Sequence, residues 1–133
     1  MSGERATYLD SSAILKLVVA EPESAALRNF LRRRRPWVSS ALARTEVLRA
    51  LLPLGETGAR KGLSVLGRVD LIRISTPLLQ DAAALQPPEL RSLDAIHLAT
   101  ALRLGEDLAR FVAYDARLAG AARAAGLIVD SPS

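Results

Sequence analysis

Four carboxylates are the candidates for chemistry in this sequence. Two follow predicted strands, and two lie on predicted helices. Asp10 follows the apolar run ATYL, Asp115 follows FVAY, and Asp94 lies in the first helical turn of RSLDAIHLATAL. Glu46 lies mid-helix in SSALARTEVLRALL among largely apolar neighbours, an unusual setting for a carboxylate without a partner. If the four converge, their mutual repulsion requires a neutralising cation. The sequence therefore predicts a divalent metal site.

The available ligands favour a hard cation. The chain has no cysteine and one histidine, so oxygen donors dominate and Mg²⁺ or Mn²⁺ is expected rather than zinc. Mg²⁺ usually takes only one or two protein carboxylates and keeps water, so four acids suit either one ion or two. Such a site polarises a phosphodiester and helps to generate hydroxide, which is nuclease chemistry.

Each acid also has an ordinary structural interpretation. Asp10 and Asp94 are placed as a helix cap or a first-turn partner of the helix dipole, and Asp115 as a turn residue after a strand. Taken singly, these interpretations are preferable. The joint spacing of the acids, with Asp10 and Asp115 at strand ends, is what favours a shared site.

Short apolar runs alternate with longer helical patterns along the chain. The predicted strands are ATYL (6–9), PWVS (36–39), LIRI (71–74), FVAY (111–114) and LIVD (127–130), and the predicted helices are 12–19, 23–34, 40–52, 59–66, 78–85, 92–104 and 116–125. This alternation predicts a three-layer α/β/α fold with a five-stranded parallel sheet, and LIRI, the least apolar run, is expected at an edge. Pro36 is expected to end the second helix, Ser92 to cap the sixth, and Gly126 to adopt a left-handed helix terminus.

Length and composition fit one globular domain spanning residues 1–133. The chain is 50% hydrophobic and 24% charged, with a net charge of +4, which suits RNA or an acidic partner. The apolar run 13–20 is interrupted by Lys16 and is too short to span a membrane, and no signal-peptide pattern precedes it. We expect a cytoplasmic protein that does not contact a membrane.

Four segments together resemble one family. YLDSSAILKLVV, the glutamate segment SSALARTEVLRAL, LDAIHLATALRLG and FVAYDARLAGAARAAGL are similar, in this order, to PIN-domain ribonucleases, specifically the VapC toxins of type II toxin–antitoxin pairs. The resemblance implies a PIN-like α/β/α fold and Mg²⁺- or Mn²⁺-dependent endonucleolytic cleavage of RNA. It also implies a homodimer, a heterotetramer or larger assembly with a cognate VapB antitoxin, and DNA contact only through that antitoxin.

The family's acidic site corresponds to Asp10, Glu46, Asp94 and Asp115. The three aspartates are implied to hold the metal, directly or through water, and Glu46 to complete the site. Many relatives carry Thr or Ser two residues before the last aspartate, where this chain has Ala113. A hydroxyl contact from that strand is therefore not expected.

Several neighbouring residues have two interpretations. Ser12 either bonds Asp10 or a substrate phosphate, or helps to cap the first helix. Lys16, one turn later, either faces the same mouth or extends its ammonium from an apolar helix to solvent. His97 is expected to be a packed or supporting histidine rather than a general base. Arg32–Arg35 are expected to form a solvated helix end that adds non-specific attraction for RNA.

The chain lacks residues that two other protein classes, one enzymatic and one signalling, require. A haloacid-dehalogenase-like phosphatase requires a second aspartate at the position of Ser12, and a receiver domain requires adjacent acids after the first strand and a late lysine. The surviving alternative to an enzyme is a catalytically silent PIN-like module that binds RNA or an antitoxin, an alternative that rests on Ala113 alone.

Overall fold

The computed structural model describes residues 4–133. In chain order its elements are β1 (Ala6–Leu9), α1 (Ser11–Val18), α2 (Ser24–Leu31), β2 (Trp37–Ser40), α3 (Leu42–Ala50), α4 (Gly55–Leu66), β3 (Val69–Ile72), α5 (Thr76–Ala83), α6 (Ser92–Arg103), β4 (Leu108–Val112), α7 (Ala116–Ala124) and β5 (Val129–Asp130). Short 3₁₀ turns cover Leu52–Leu54 and Gly105–Asp107. No helix among these residues is long and apolar enough to cross a membrane.

The five strands form one sheet, in the order β3-β2-β1-β4-β5, and all neighbouring strands are parallel. The predicted fold class is confirmed, and so is the edge position of the LIRI region. The chain proceeds outward from β1 through β2 to β3 and then returns to the other side of β1 as β4. The strand order therefore reverses between β1 and β4, and ligands of open parallel sheets bind beyond the carboxyl ends of strands at such a point.

Helices cover both faces of the sheet because the central strand is apolar on both sides. Leu9 packs with α1 to α4 in one core cluster, whereas Tyr8 packs with α6 and α7 in the other, as expected when side chains alternate across a strand. All four residues of β1 are buried. The end of β1 is consequently held from both sides, which fixes the residue that follows it.

Element boundaries correct several sequence predictions. Because α2 ends at Leu31, Arg32–Arg35 follow the helix rather than forming its last turn. Ser92 is the first residue of α6 and does not cap it; Arg91 occupies the cap position without a side-chain hydrogen bond. Gly126 has a φ of 96°, which confirms the predicted left-handed terminus.

Candidate active site

Asp10 lies directly after β1 and caps α1. Its backbone N–H donates to the Val112 carbonyl at the end of β4, which ties it to the reversal of strand order. Its Oδ1 accepts hydrogen bonds from the Ala13 N–H at 2.9 Å and the Ser12 hydroxyl at 2.8 Å. The predicted contact of Ser12 with Asp10 is confirmed, and Asp10 itself is the helix cap.

The Asp10 carboxylate is only 5% exposed, and burial raises its pKa above the ordinary value, with a smaller contribution from the nearby charge of Asp94. The hydrogen bonds from Ala13 and Ser12 oppose this increase. The free protein thus keeps a buried carboxylate whose charge is incompletely compensated. Such a group favours a cation.

Glu46 projects from α3 and is held by two donors on other elements. The Ser11 hydroxyl donates to Oε1, and His97 Nε2 lies 2.8 Å from the same oxygen. Burial raises the pKa of Glu46, but the hydrogen bonds from His97 and Ser11 outweigh it and leave the pKa below the ordinary value. Glu46 is therefore an oriented carboxylate rather than an acid without partners.

A buried hydrogen-bond chain supports this orientation. His97 is 2% exposed, and its Nδ1 lies 2.7 Å from the Tyr8 hydroxyl. Burial raises the pKa of Tyr8, so the phenol keeps its proton and donates to Nδ1. This hydrogen-bond network assigns the remaining imidazole proton to Nε2, which donates to Glu46. His97 thus has the supporting position that the sequence favoured.

Asp94 lies in the first turn of α6, and Asp115 lies directly before α7, which it caps. Burial raises the pKa of Asp94 and the charge of Asp115 raises it further. Arg91 lies between them, with Nε 3.8 Å from Asp94 Oδ2 and an Nη2 atom 3.9 Å from Asp115 Oδ2. The side chain of Asp115 is 37% exposed and accepts from the Arg117 N–H.

The acids are electrostatically coupled but do not form a ready-made ligand cage. Within residues 4–133, no three His, Asp or Glu side chains are grouped closely enough to hold a metal ion. Repulsion keeps like charges apart when no cation lies between them. The donor set of buried and half-buried carboxylates still fits a hydrated Mg²⁺, which needs only one or two direct protein ligands.

Lys16 pairs with two glutamates outside this group of acids. Its ammonium lies 3.0 Å from Glu23 and 3.5 Å from Glu21, at the start of α2, and 4.7 Å from the centre of the Tyr114 ring. Burial lowers the pKa of Lys16, but the bonds to Glu23 and Glu21 raise it overall. These contacts favour a structural role, and a substrate-binding role stays a prediction.

Three residues of this region escaped the sequence interpretation. Ser11 and Tyr8 act through Glu46 and His97, which are distant in sequence, so only the folded chain reveals them. Arg91 carried a local signal, because it precedes Asp94 by three residues and such pairs meet on a helix surface.

A parallel sheet with carboxylates beside the point where its strand order reverses defines an α/β protein with an acidic edge at that point. Residues 7–124 match the family model described as "PIN domain", and the chain belongs to this family. The resemblance inferred from the sequence is thereby confirmed.

Individual relatives agree with this assignment. The chain is 57% identical over 128 residues to "Ribonuclease VapC46" of Mycobacterium tuberculosis, covering 96% of this chain and 98% of that protein. In fold it matches M. tuberculosis VapC20, described as a "Sarcin-Ricin loop cleaving toxin", with a TM-score of 0.73, 17% identity and coverage of 95% and 99%. It also matches VapBC2 of Rickettsia felis bound to a promoter DNA fragment, with a TM-score of 0.67, 13% identity and coverage of 96% and 99%.

Proposed function

We propose that this chain is a metal-dependent endoribonuclease and the toxin of a VapBC-type pair, hydrolysing RNA phosphodiester bonds at the acidic edge of its sheet. The observation that carries this proposal is the position of Asp10 beside the reversal of strand order, with two acids from remote segments near enough to act electrostatically. The charge of Asp94 raises the pKa of Asp10, and the charge of Glu46 raises that of Asp94. The 57% identity to a protein named a ribonuclease supports the reaction class.

Asp10, Asp94 and Asp115 are the residues proposed to hold the metal, which we take to be Mg²⁺, with Mn²⁺ as a substitute. Asp10 presents a carboxylate fixed by Ser12 and Ala13, and Asp94 and Asp115 present carboxylates whose repulsion a cation relieves. When bound, a divalent ion neutralises phosphate charge and lowers the pKa of coordinated water.

Glu46 is proposed to orient the attacking water. Its lowered pKa keeps it ionised at neutral pH, so it accepts hydrogen bonds rather than donating them. Ser11 and His97 hold its Oε1 atom and thereby fix the plane of the carboxylate. Because His97 is itself held by Tyr8, the orientation does not depend on a flexible side chain.

The proposed partner is a VapB-type antitoxin, in keeping with the VapBC complex among the fold matches. We propose that a cationic antitoxin side chain, most simply an arginine, enters the acidic mouth and blocks it. The chain's own Arg91 guanidinium lies between Asp94 and Asp115, which supports the fit of such a group. Homodimerisation, a heterotetramer or larger assembly and DNA contact through the antitoxin belong to the same proposal.

The apolar end of α1 offers a second point of antitoxin contact. A cavity of about 280 Å³ lies between this end and α4, and Leu54 on its wall is 54% exposed. An amphipathic antitoxin helix would bury this surface.

The catalytically silent alternative has a narrow basis in the structure. Ala113 has no hydroxyl, and its side chain is fully buried in the core cluster on the Tyr8 side of the sheet. The four carboxylates do not depend on it. We therefore favour the enzyme.

The test is RNA cleavage by antitoxin-free protein, with total RNA from the source cell and Mg²⁺ or Mn²⁺ in the buffer. Wild type and the exposed-surface control Asp107→Asn are expected to produce discrete new 5′ ends, whereas Asp10→Asn and Asp94→Asn lose at least ~100-fold in rate. Circular dichroism checks that all four proteins are folded. Wild-type protein that binds RNA without cleaving it under either metal would support the silent alternative.

A further inference from the structure

Arg91 is a cation at the acidic site that has no role in the proposed reaction. It precedes the first turn of α6, and its guanidinium bridges Asp94 and Asp115 at 3.8 and 3.9 Å. Its side chain is 73% exposed, so the guanidinium is reached from solvent while it contacts both acids. A side chain in this position is available both to the site and to an incoming substrate.

We propose that Arg91 binds an RNA phosphate and that, before the metal arrives, the same guanidinium is held over the site by Asp94 and Asp115. This inference rests on the proposed ribonuclease function and assigns a substrate contact to it. Metal binding then releases Arg91 from the acids and makes it available to RNA. Arg91 thereby couples occupation of the metal site to substrate binding.

The first step is a competition between two cations. Both contacts of Arg91 end on Oδ2 atoms of Asp94 and Asp115, the carboxylates proposed to hold the metal. Ion pairs between exposed groups at nearly 4 Å are weak, because solvent screens them and the long side chain loses freedom in forming them. A divalent ion with two charges displaces such a partner readily.

The second step is the binding of the RNA phosphate by Arg91, because the acidic site needs a positive group that faces RNA. A cavity of about 310 Å³ opens at the site and is lined by Glu46, Arg91, Ser92, Leu93 and Asp94. Among these lining residues Arg91 alone carries positive charge. An RNA phosphate entering between Glu46 and Asp94 is repelled by both carboxylates unless a cation meets it.

The chemistry of arginine suits this role. A guanidinium presents a planar set of N–H donors that matches two phosphate oxygens at once. The three residues that follow Arg91 form the first turn of α6, a twelve-residue helix, and they line the same cavity. The positive end of the helix dipole therefore adds to the attraction for a phosphate.

The test combines metal titration with RNA kinetics on Arg91→Ala, Arg91→Lys and a matched control, Arg123→Ala. Arg123 is an exposed arginine in the last turn of α7, so its removal costs the same charge away from Asp115. Calorimetry with Mn²⁺ on RNA-free protein is expected to show about threefold tighter binding for Arg91→Ala, because a competing cation is gone. Arg91→Lys and Arg123→Ala are expected to bind Mn²⁺ as wild type does.

The affinity of Arg91→Ala for RNA is expected to fall, whereas its affinity for Mn²⁺ rises. At saturating Mn²⁺, Arg91→Ala should raise KM for RNA about tenfold with little change in kcat, as expected for loss of a charge-assisted contact to substrate. The dependence of log(kcat/KM) on log salt concentration should become shallower by about 0.7. Arg91→Lys should recover part of the lost affinity, and Arg123→Ala should retain the wild-type KM.

Tighter Mn²⁺ binding together with a raised KM for RNA in Arg91→Ala supports the proposal, and every other pattern overturns it. Tighter Mn²⁺ binding with an unchanged KM would show that Arg91 only screens the acids, and unchanged or weaker Mn²⁺ binding would remove the competition. Failure of the proposed function is recognised separately, because wild type and Arg123→Ala would then both leave RNA intact. In that case, RNA-binding affinity measured with and without Mn²⁺ replaces KM, and an equal affinity of wild type and Arg91→Ala would overturn the inference.

Discussion

Substitutions of His97 test the hydrogen-bond chain that runs from Tyr8 through His97 to Glu46, because different variants break the bond to Tyr8, the bond to Glu46, or both. His97→Ala removes the hydrogen bonds to Tyr8 and Glu46, each worth about 1 kcal/mol, and leaves the buried Tyr8 hydroxyl without its imidazole partner, at a further cost of about 1 kcal/mol. We expect a loss of about 3 kcal/mol in the free energy of unfolding, measured by urea denaturation.

Two conservative variants divide this effect. In His97→Asn the side-chain oxygen replaces Nδ1 as the acceptor for Tyr8, but the donor to Glu46 is lost. In His97→Gln the amide nitrogen replaces Nε2 as that donor, but the acceptor for Tyr8 is lost. Each variant should cost about 1 to 2 kcal/mol, because each removes one buried hydrogen bond.

The two variants should differ in the titration of Glu46 and in catalysis. In wild type the lowered pKa of Glu46 stabilises the fold at pH values above the unfolded-state pKa, and this stability is lost as the pH falls through the folded-state pKa. His97→Asn should raise the pKa of Glu46, since burial persists without the opposing bond, and its deficit in stability should be largest at neutral pH. Cleavage should fall about tenfold in His97→Asn and be largely kept in His97→Gln.

Carboxyl-carbon NMR titration of Glu46 and RNA cleavage measured on the same preparations check this reasoning. Equal Glu46 pKa values in wild type and His97→Asn would refute it. So would a loss of stability below about 1 kcal/mol in His97→Ala, because the buried hydrogen bonds would then contribute far less than their geometry indicates.

Three further predictions concern single residues. Asp10→Asn should raise the Tm of the metal-free protein by roughly 2 to 5 °C while cleavage is lost, because the raised pKa of Asp10 means that its charge destabilises the fold above that pKa; an unchanged or lower Tm in calorimetry would contradict this. Lys16→Met should keep the rate of RNA cleavage within about twofold and lose about 1 kcal/mol of stability, because its ammonium pairs with Glu23 and Glu21; a tenfold slower reaction would assign Lys16 to the site. Ala113→Thr should destabilise the protein by about 1 to 2 kcal/mol without faster cleavage, because its methyl is fully buried in a packed core; a faster enzyme would show that a hydroxyl is missing there.

The sheet and the three aspartates near its edge were predictable because local patterns determine them. Apolar runs separated by helical patterns imply parallel strands, and an acid that follows such a run must lie at the carboxyl edge. Asp10 follows β1 directly, whereas Asp115 lies three residues beyond the end of β4, since that strand begins and ends earlier than FVAY suggests. Arg110 conceals the true strand, because a charged residue interrupts the apolar run although it pairs with Asp130 on β5.

The support around Glu46 was not predictable, because it depends on contacts between remote segments. Ser11 and His97 reach Glu46 across separations of 35 and 51 residues, and periodicity contains no information about such pairs. The apolar neighbours of Glu46 in sequence suggested a buried and isolated acid, whereas its side chain is only partly buried and is hydrogen-bonded. Only the hydrogen bonds of the folded chain, from Ser11 on α1 and His97 on α6 to Glu46 on α3, reveal the donors that stabilise its charge.

The proposal that the acidic edge is a metal centre is tested most directly by locating the metal. Crystals of the antitoxin-free protein soaked in Mn²⁺ should show an anomalous difference peak bounded by Asp10, Asp94 and Asp115, with Arg91 withdrawn from the two carboxylates that it now bridges. A peak at any other place, or no peak at this edge at millimolar Mn²⁺, would contradict the account.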